Sequence, residues 1–245
     1  MRPVSSFVTP RHAALWAKVL ARTEAQDLAH DADHVWRVYA WAVTLARAEG
    51  HDVEACGAAA LVHDLVNIPK ESRDRPLGGE LSAVAGRELL EEAGYETDVV
   101  ACCVEAVRTS SWSRGLAPTG PVGAVLQDAD RLDAIGAVGI ARNFACAQAM
   151  SSRGAPGRFY DPADPFGEGD RPLDDVAHAL DHWFLKLLRL REGFHTETAR
   201  AEAERRHGFL RAFVAELRAE LAGTTGLRPP AFTKGWQDPG GSAVG

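Results

Sequence analysis

The chain has 245 residues, 46% of them apolar, and its 34 acids against 27 bases give a formal net charge of −7. That is enough for one well-buried core, while the acidic balance, with no basic stripe interleaved with aromatics, disfavours polymeric nucleic acid as a partner. There is no stretch of about 18 uncharged apolar residues, and residues 1–7 lack the apolar run of a signal peptide, so no membrane partner and a cytoplasmic location are expected.

The first predicted helix opens at Thr9-Pro10, a capping residue followed by proline at the first helical position. It carries Leu15, Val19 and Leu20 and ends near Asp27. The second starts around Asp31, Asp33 and His34, because Val35, Val38, Tyr39, Ala42 and Leu45 recur at helical spacing until Glu49-Gly50. The third runs from about Val53 through Cys56, Ala60 and Leu61, and Asn67-Ile68-Pro69 must stop it. His63 and Asp64 stand at its end. A polar loop over 70–79 precedes a helix with Leu81, Val84, Leu89 and Leu90 that stops at Gly94, and a shorter helix covers roughly 97–107. Residues 120–150 read as one or two helices, in which Gly136 and Gly139 allow close packing at a cost in helix propensity.

The stretch 151–172 is rich in Gly, Pro and Asp but also holds Phe159, Tyr160 and Phe166. A loop of this length inside a compact domain is usually functional, and it is expected to cover part of a pocket. Helices over 173–191 and 196–221 complete an all-α domain read as 1–222. A Gly-, Pro- and Ser-rich tail, 223–245, is expected to be flexible. The cysteines Cys56, Cys102, Cys103 and Cys146 lack CxxC spacing and sit in apolar helical patterns, so they are read as reduced core residues.

His34, His63, Asp64 and Asp130 together supply two imidazoles and two carboxylates for one divalent ion. Neighbouring side chains on a helix diverge by about 100°, so His63 and Asp64 converge on one ion only if it sits near the helix end. Asp128, Asp130 and Asp133 cannot share one helical face, so at most one or two of them point inward. Two nitrogen and two oxygen ligands suit Mn, Fe, Co, Ni or Zn better than Ca or Mg. Four protein ligands leave positions open on a six-coordinate ion, which is a catalytic rather than a closed structural arrangement.

The order His, His-Asp, Asp, set in Val62-His63-Asp64-Leu65-Val66-Asn67-Ile68-Pro69-Lys70 and Gln127-Asp128-Ala129-Asp130-Arg131-Leu132-Asp133-Ala134-Ile135-Gly136-Ala137-Val138-Gly139-Ile140-Ala141-Arg142, resembles the HD-domain metal-dependent phosphohydrolases. The resemblance continues through Arg171-Pro172-Leu173-Asp174-Asp175 and 182–190, covering roughly residues 12–222. It implies a single HD-type helical bundle whose metal site lies between helices. It also implies one divalent transition metal, Mn first, with Fe, Co, Ni, Zn or Mg as alternatives, and hydrolysis of a nucleotide phosphate bond. A similar bacterial subgroup includes nucleoside triphosphate pyrophosphohydrolases, so release of pyrophosphate is the expected reaction. Asp130 takes the last ligand position in this resemblance because it precedes Arg131-Leu132.

Asp64, Lys70 and Arg131 are the candidate catalytic groups. An ion held in part by Asp64 would act as a Lewis acid and acidify a water. Lys70, just past Pro69, is a long cation that can reach the non-transferred phosphates. Arg131 either contacts a phosphate or pairs with an acid such as Asp128 to hold the ligand helix. His178, His182 and Lys186 recur at i, i+4 and i+8 and share a face of the helix expected there. His182 and Lys186 join Lys70 and Asn67 as candidate substrate contacts, and His178 is placed on the surface. Asp128 and Asp133 are read as capping or supporting groups, and His12, His30, His51, His195 and His207 as ordinary polar positions.

Two positions depart from the pattern the resemblance implies. Asn67 stands three residues after Asp64, where some members place a glutamate that acts on the attacking water, so the general base is unassigned. Ser110 precedes Ser111-Trp112-Ser113, where the similar subgroup tends to carry histidine. This second departure motivates an alternative, a metal- and nucleotide-binding regulatory module with little turnover. A di-iron oxygenase of the same fold needs further ligands between the His-Asp pair and the last Asp, and residues 65–129 contain no histidine. The base, the sugar and the oligomeric state stay open, a homodimer included.

Overall fold

The computed structural model describes residues 4–22 and 28–223, and among these every regular element is helical. The helices are α1 (Pro10–Arg22), α2 (Ala32–Glu49), α3 (Val53–Val62), α4 (Gly78–Glu92), α5 (Thr97–Thr109), α6 (Gly120–Asp133), α7 (Gly136–Ser152) and α8 (Glu197–Leu221). The expected end of the first helix at Asp27 and all but the first residue of the tail lie outside the described residues. No described helix is long and apolar enough to cross a membrane.

Sequence-local chemistry sets the helix ends. Asp31 Oδ1 accepts the His34 N–H at 2.9 Å, Asp52 Oδ1 that of Ala55 at 3.0 Å, and Thr196 Oγ1 that of Ala199 at 3.3 Å. Each satisfies a backbone donor that the first helical turn leaves orphaned. Gly50 closes α2 at φ 71°, in the left-handed region that glycine adopts without a Cβ penalty.

The centre of the fold is α3, buried on every side from Ala55 to Val62 and packed against α1, α2, α4, α5 and α6. A helix that is apolar all round belongs inside, and its small residues let neighbours approach closely. A Cβ on Gly57 would stand 2.5 Å from the His12 ring. His12 is itself fully buried, with Nδ1 3.1 Å from the Tyr39 hydroxyl and Nε2 2.9 Å from the Glu54 carbonyl. It is thus a tie between α1, α2 and α3 rather than an ordinary polar position. Cys56 and Cys103 are buried and Cys102 and Cys146 half-buried, all as free thiols, and burial pushes Cys56 up to about 12.

Residues 120–150 form two helices, broken where Gly136 adopts φ 76°. At Gly139 a Cβ would fall 2.2 Å from the Ala134 carbonyl oxygen, so the α6–α7 corner requires a residue without one.

The single helix expected over 173–191 does not form. The chain instead makes turns, an isolated bridge between Arg158 and His178, a π turn (Trp183–Leu187) and a 3-10 turn (Leu190–Gly193). Local bonds compete for the backbone. Asp174 Oδ1 accepts the N–H groups of Val176 and Ala177 at 2.9 and 3.1 Å, and the bridge takes the Ala177 carbonyl and the Ala179 N–H at 2.7 and 2.9 Å. The aromatics of 151–172 anchor that stretch to the core and to α7 and α8. Phe159 stacks on Phe144 of α7 at 4.4 Å, and buried Phe166 lies 4.1 Å beneath the Arg218 guanidinium of α8.

Candidate metal centre

His34 projects from the first turn of α2, His63 and Asp64 follow the last residue of α3, and Asp130 sits in the last turn of α6. His34 Nε2 lies 3.3 Å from His63 Nε2, 3.7 Å from Asp130 Oδ1 and 3.9 Å from Asp64 Oδ2, and His63 Nε2 lies 4.0 Å from Asp130 Oδ1. Donors about 2.0–2.2 Å from one transition-metal ion stand about 3–4 Å apart. The spacing therefore fits a common ion for His34, His63 and Asp130, whose donor atoms all lie within 4.8 Å of one another, whereas Asp64, expected as a fourth ligand, approaches His34 but stands outside that cluster.

The ring nitrogens strengthen the fit. His63 Nδ1 is 2.8 Å from the Ala60 carbonyl, so it donates and leaves Nε2 as a bare lone pair. His34 Nδ1 is 2.8 Å from Asp133 Oδ2, with the same consequence. Burial, followed by the nearby Arg142 charge, lowers the pKa of His34 and keeps the ring neutral. Two bare nitrogens facing each other in a buried site call for a cation between them.

Asp133 is the carboxylate behind His34, and it also takes Arg37 Nε at 2.7 Å and Arg142 Nη1 at 3.1 Å. Burial alone would push its carboxyl up, but the bonds from His34 and Arg37 and the Arg142 charge hold it well below the usual carboxylate range. For Asp64, burial acts upward and is outweighed by His63, His30 and His34, which pull downward when protonated, and by the Arg75 charge, so its pKa also ends low. Asp128 has a different task. It accepts the N–H groups of His195 and Thr196 at 2.9 and 2.8 Å and the Thr196 hydroxyl at 2.7 Å, fixing the start of α8 to α6.

The centre opens into a cavity of about 560 Å³ whose lining includes His34, His63, Asp64, Asp130, Asn67, Lys70, His182 and Lys186. Lys70 Nζ is 2.6 Å from Asp175 Oδ2, which is in turn 2.7 Å from His182 Nδ1. The Lys186 ammonium makes no hydrogen bond or ion pair among the described residues, and burial lowers it to about 8. For His182, burial is again the leading cause, and it lowers the ring to about 4.

Arg131 departs from the catalytic expectation. Its guanidinium donates to the Gly193 carbonyl and Gln127 Oε1, lies 3.0 Å from His195 Nε2, stacks 4.9 Å over Trp112, and is not part of the cavity lining. One residue beyond Asp130 on α6, it points about 100° away and holds the 193–196 turn. The stretch 151–172 also departs from its expected role, since Arg153 alone among its residues lines the cavity. His178 lies outside the lining, in the bridge to Arg158.

Sequence reasoning missed His30, Arg75, Arg142, Arg153 and Asp175, all of which line the cavity. Arg75 holds Asn67 Oδ1 at 3.0 Å and the Ile68 carbonyl at 2.6 Å, and Arg153 pairs with Glu71 at 2.6 Å. Their positions depend on where loops return in space, and no spacing signals that. Ser110, where the similar subgroup tends to carry histidine, lines the cavity with its hydroxyl donated to the Val107 carbonyl at 2.9 Å.

Comparison with known proteins agrees with this geometry. The HD domain model matches residues 31–135, the span that carries His34, His63, Asp64 and Asp130. YpgQ of Bacillus subtilis is 34% identical over 212 residues, covering 85% of this chain and 91% of that protein. The chain belongs to the HD-domain family. The structure of YpgQ in complex with ADP superposes on this HD protein with a TM-score of 0.66 at 31% identity, covering 86% of this chain and 98% of that one. An HD-superfamily hydrolase from Bacillus thuringiensis gives a TM-score of 0.64 at 29% identity, covering 87% and 97%. The all-α fold is that of an HD-domain protein, a family that binds divalent metals, and His34, His63 and Asp130 form the candidate site for one in this chain.

Proposed function

We propose that this HD protein is a divalent-metal-dependent nucleotide phosphohydrolase that converts a nucleoside triphosphate to monophosphate and pyrophosphate. The observation that carries the reading is one cavity holding the His34, His63 and Asp130 cluster, Asp64 beside it, and the side chains of Lys70, Arg75, Arg142, Arg153 and Lys186. A polyphosphate needs that combination, because its charge must be neutralised at the reacting phosphorus and along the rest of the chain. The ADP bound by YpgQ supports a nucleotide as ligand.

A divalent ion held by His34, His63, Asp64 and Asp130, with Mn first on the chemistry of the donor set, supplies Lewis-acid neutralisation and a more acidic water. The protein's part is positional. Asp133 and the Ala60 carbonyl fix both imidazoles with Nε2 inward. Lys186, unpaired and half-buried, offers its ammonium to a phosphate oxygen without first breaking an ion pair. Lys70 must exchange Asp175 for phosphate. Asn67 takes no proton, and its carbonyl oxygen already accepts from Arg75, so it orients rather than acts as base.

The test is a metal-supplemented screen of nucleoside di- and triphosphates in which phosphate and pyrophosphate are measured separately. Pyrophosphate from a triphosphate, lost in Asp64→Ala, is the expected result. Phosphate instead would sink the bond assignment. Tight nucleotide binding with no product would favour the regulatory reading, which rests on Ser110 offering no titratable group where a histidine is common in the similar subgroup.

A further inference from the structure

The segment between α7 and α8 holds two hydrogen-bonded rungs one residue out of step. In the buried rung the Asp174 N–H donates to Asp181 Oδ2 at 2.8 Å. In the second rung, one position on at each end, the Asp175 carboxylate lies 2.7 Å from His182 Nδ1 and 2.6 Å from Lys70 Nζ. The second rung lines the cavity, and the first does not.

Arg171 closes the buried rung. Its Nη1 and Nη2 donate to the two oxygens of Asp181 at 2.6 and 2.7 Å, and its Nε and Nη2 also donate to the Asp164 carbonyl at 3.1 and 2.8 Å. Asp181 is fully buried, and a buried carboxylate requires such a partner. Between 174 and 181 the backbone makes only turn bonds, His178 N–H to the Asp174 carbonyl at 2.9 Å and Asp181 N–H to the His178 carbonyl at 3.2 Å, so the side-chain bonds of Asp181 add the direct tie between the two ends.

We propose that Arg171 is a positioning residue: by pinning Asp181, and through it Asp174, it sets the register in which Asp175 and His182 meet Lys70 on the cavity wall. Two parallel bonds from a planar guanidinium fix orientation as well as distance, which a lysine ammonium cannot reproduce. Arg171 is outside the cavity lining and acts on substrate only through that wall. The kinetic consequence rests on the phosphohydrolase reading, whereas the register itself does not.

The experiment compares wild type, Arg171→Lys and, as a direct break of the cavity-facing rung, Asp175→Asn. In the metal-free protein, the ring ¹H–¹⁵N signal of His182 reports its bond to residue 175. It is expected to move in Arg171→Lys toward its position in Asp175→Asn. With nucleotide and Mn, KM is expected to rise about tenfold while kcat and Mn affinity stay within about twofold, the pattern of lost binding rather than lost chemistry. A His182 signal and KM unchanged in Arg171→Lys, with only the melting temperature lowered, would make Arg171 a plain structural tie and overturn the proposal. Should Arg171→Lys fail to fold, Asp181→Asn, which keeps the volume and weakens the fork, carries the same comparison. If no nucleotide is turned over by any variant, the His182 signal still decides the role of Arg171, and the phosphohydrolase reading alone falls.

Discussion

One wall of the cavity stands on regular helices and the other on irregular chain. His34, His63, Asp64 and Asp130 are placed by the ends of α2, α3 and α6, which pack on one another around α3. Lys70 follows Pro69, Arg153 caps α7, Asp175 lies in a turn and Lys186 in a π turn. A metal ion tolerates little error in the position of its donors, and helix ends over a packed core supply that precision. Long cations that meet phosphate oxygens tolerate more, and side-chain networks such as Lys70, Asp175 and His182 suffice to place them.

If that contrast is right, the two walls respond differently to mutation, and the ligand wall gives the largest effect. Asp64→Ala or His34→Ala is expected to lose Mn binding in calorimetric titration and to lower turnover on the order of 10³-fold, since the ion contributes several kcal/mol to the transition state. Retained turnover in either variant would remove the ion from this wall altogether.

One shell further out, Asp133→Asn sharpens the contrast. It removes the carboxylate that orients His34, and metal affinity is expected to fall roughly 10–100-fold. Because Arg37 and Arg142 lose the same partner, urea denaturation is expected to show a loss of about 3 kcal/mol. The sign with pH follows from the depressed carboxyl. Its stabilising contribution is complete above the pKa of an unfolded aspartate and is lost as pH falls below about 4. The acid limb of the stability curve should therefore flatten in the variant, and an unchanged limb would show that Asp133 is not the group responsible.

The same division explains what was legible in the sequence. The ligand wall was readable because the run Val35, Val38, Tyr39, Ala42, Leu45 and the stop at Pro69 are local signals, and the order of ligands adds to them. Lys70, His182 and Lys186 were picked out by charge and position, but the argument for the last two assumed a helix that Asp174, Asp181 and the Arg158 bridge prevent from forming. That assumption put His178 on the same face, where it does not lie. Arg75, Arg153 and His30 carried no signal, because each reaches the cavity only through the path of the chain in three dimensions, and Arg142 stood at the end of the resembling run without a role assigned to it. The aromatics over 151–172 were read as too apolar for a solvated linker, yet composition gave no direction, and Phe159 stacks on Phe144 of α7, neither of them in the cavity lining.

On the irregular wall, Lys186 gives a smaller effect with its own signature. It shares the cavity with the cations Lys70, Arg75 and Arg142 and with Asp130, and burial, its main cause, lowers it to about 8. An anion binds the charged form, so nucleotide affinity is expected to weaken as pH rises through about 8. Lys186→Arg keeps its charge through that range and should abolish the step. Lys186→Met should raise KM about tenfold at neutral pH, the loss of one charge-assisted bond, with little change in metal affinity. A step that survives in Lys186→Arg would assign it to another group.

Arg131 is where the two walls are easiest to confuse, since it adjoins a ligand in sequence yet serves neither wall directly. It is 6% exposed, and its bonds run to Gly193, Gln127 and His195, with Trp112 against its face. Arg131→Met keeps much of the packing against Trp112 and removes the bonds, leaving buried acceptors unpaired at a cost of about 1–3 kcal/mol. In a chain of this size that is a fall of about 2–10 °C in melting temperature, with kcat/KM expected within about threefold of wild type because the guanidinium meets no phosphate. The opposite pattern, a loss of tenfold or more in kcat/KM at an unchanged melting temperature, would mean that the α6 face carrying Arg131 turns to substrate during turnover. The separation of ligand wall from supporting turn would then have to be redrawn around it.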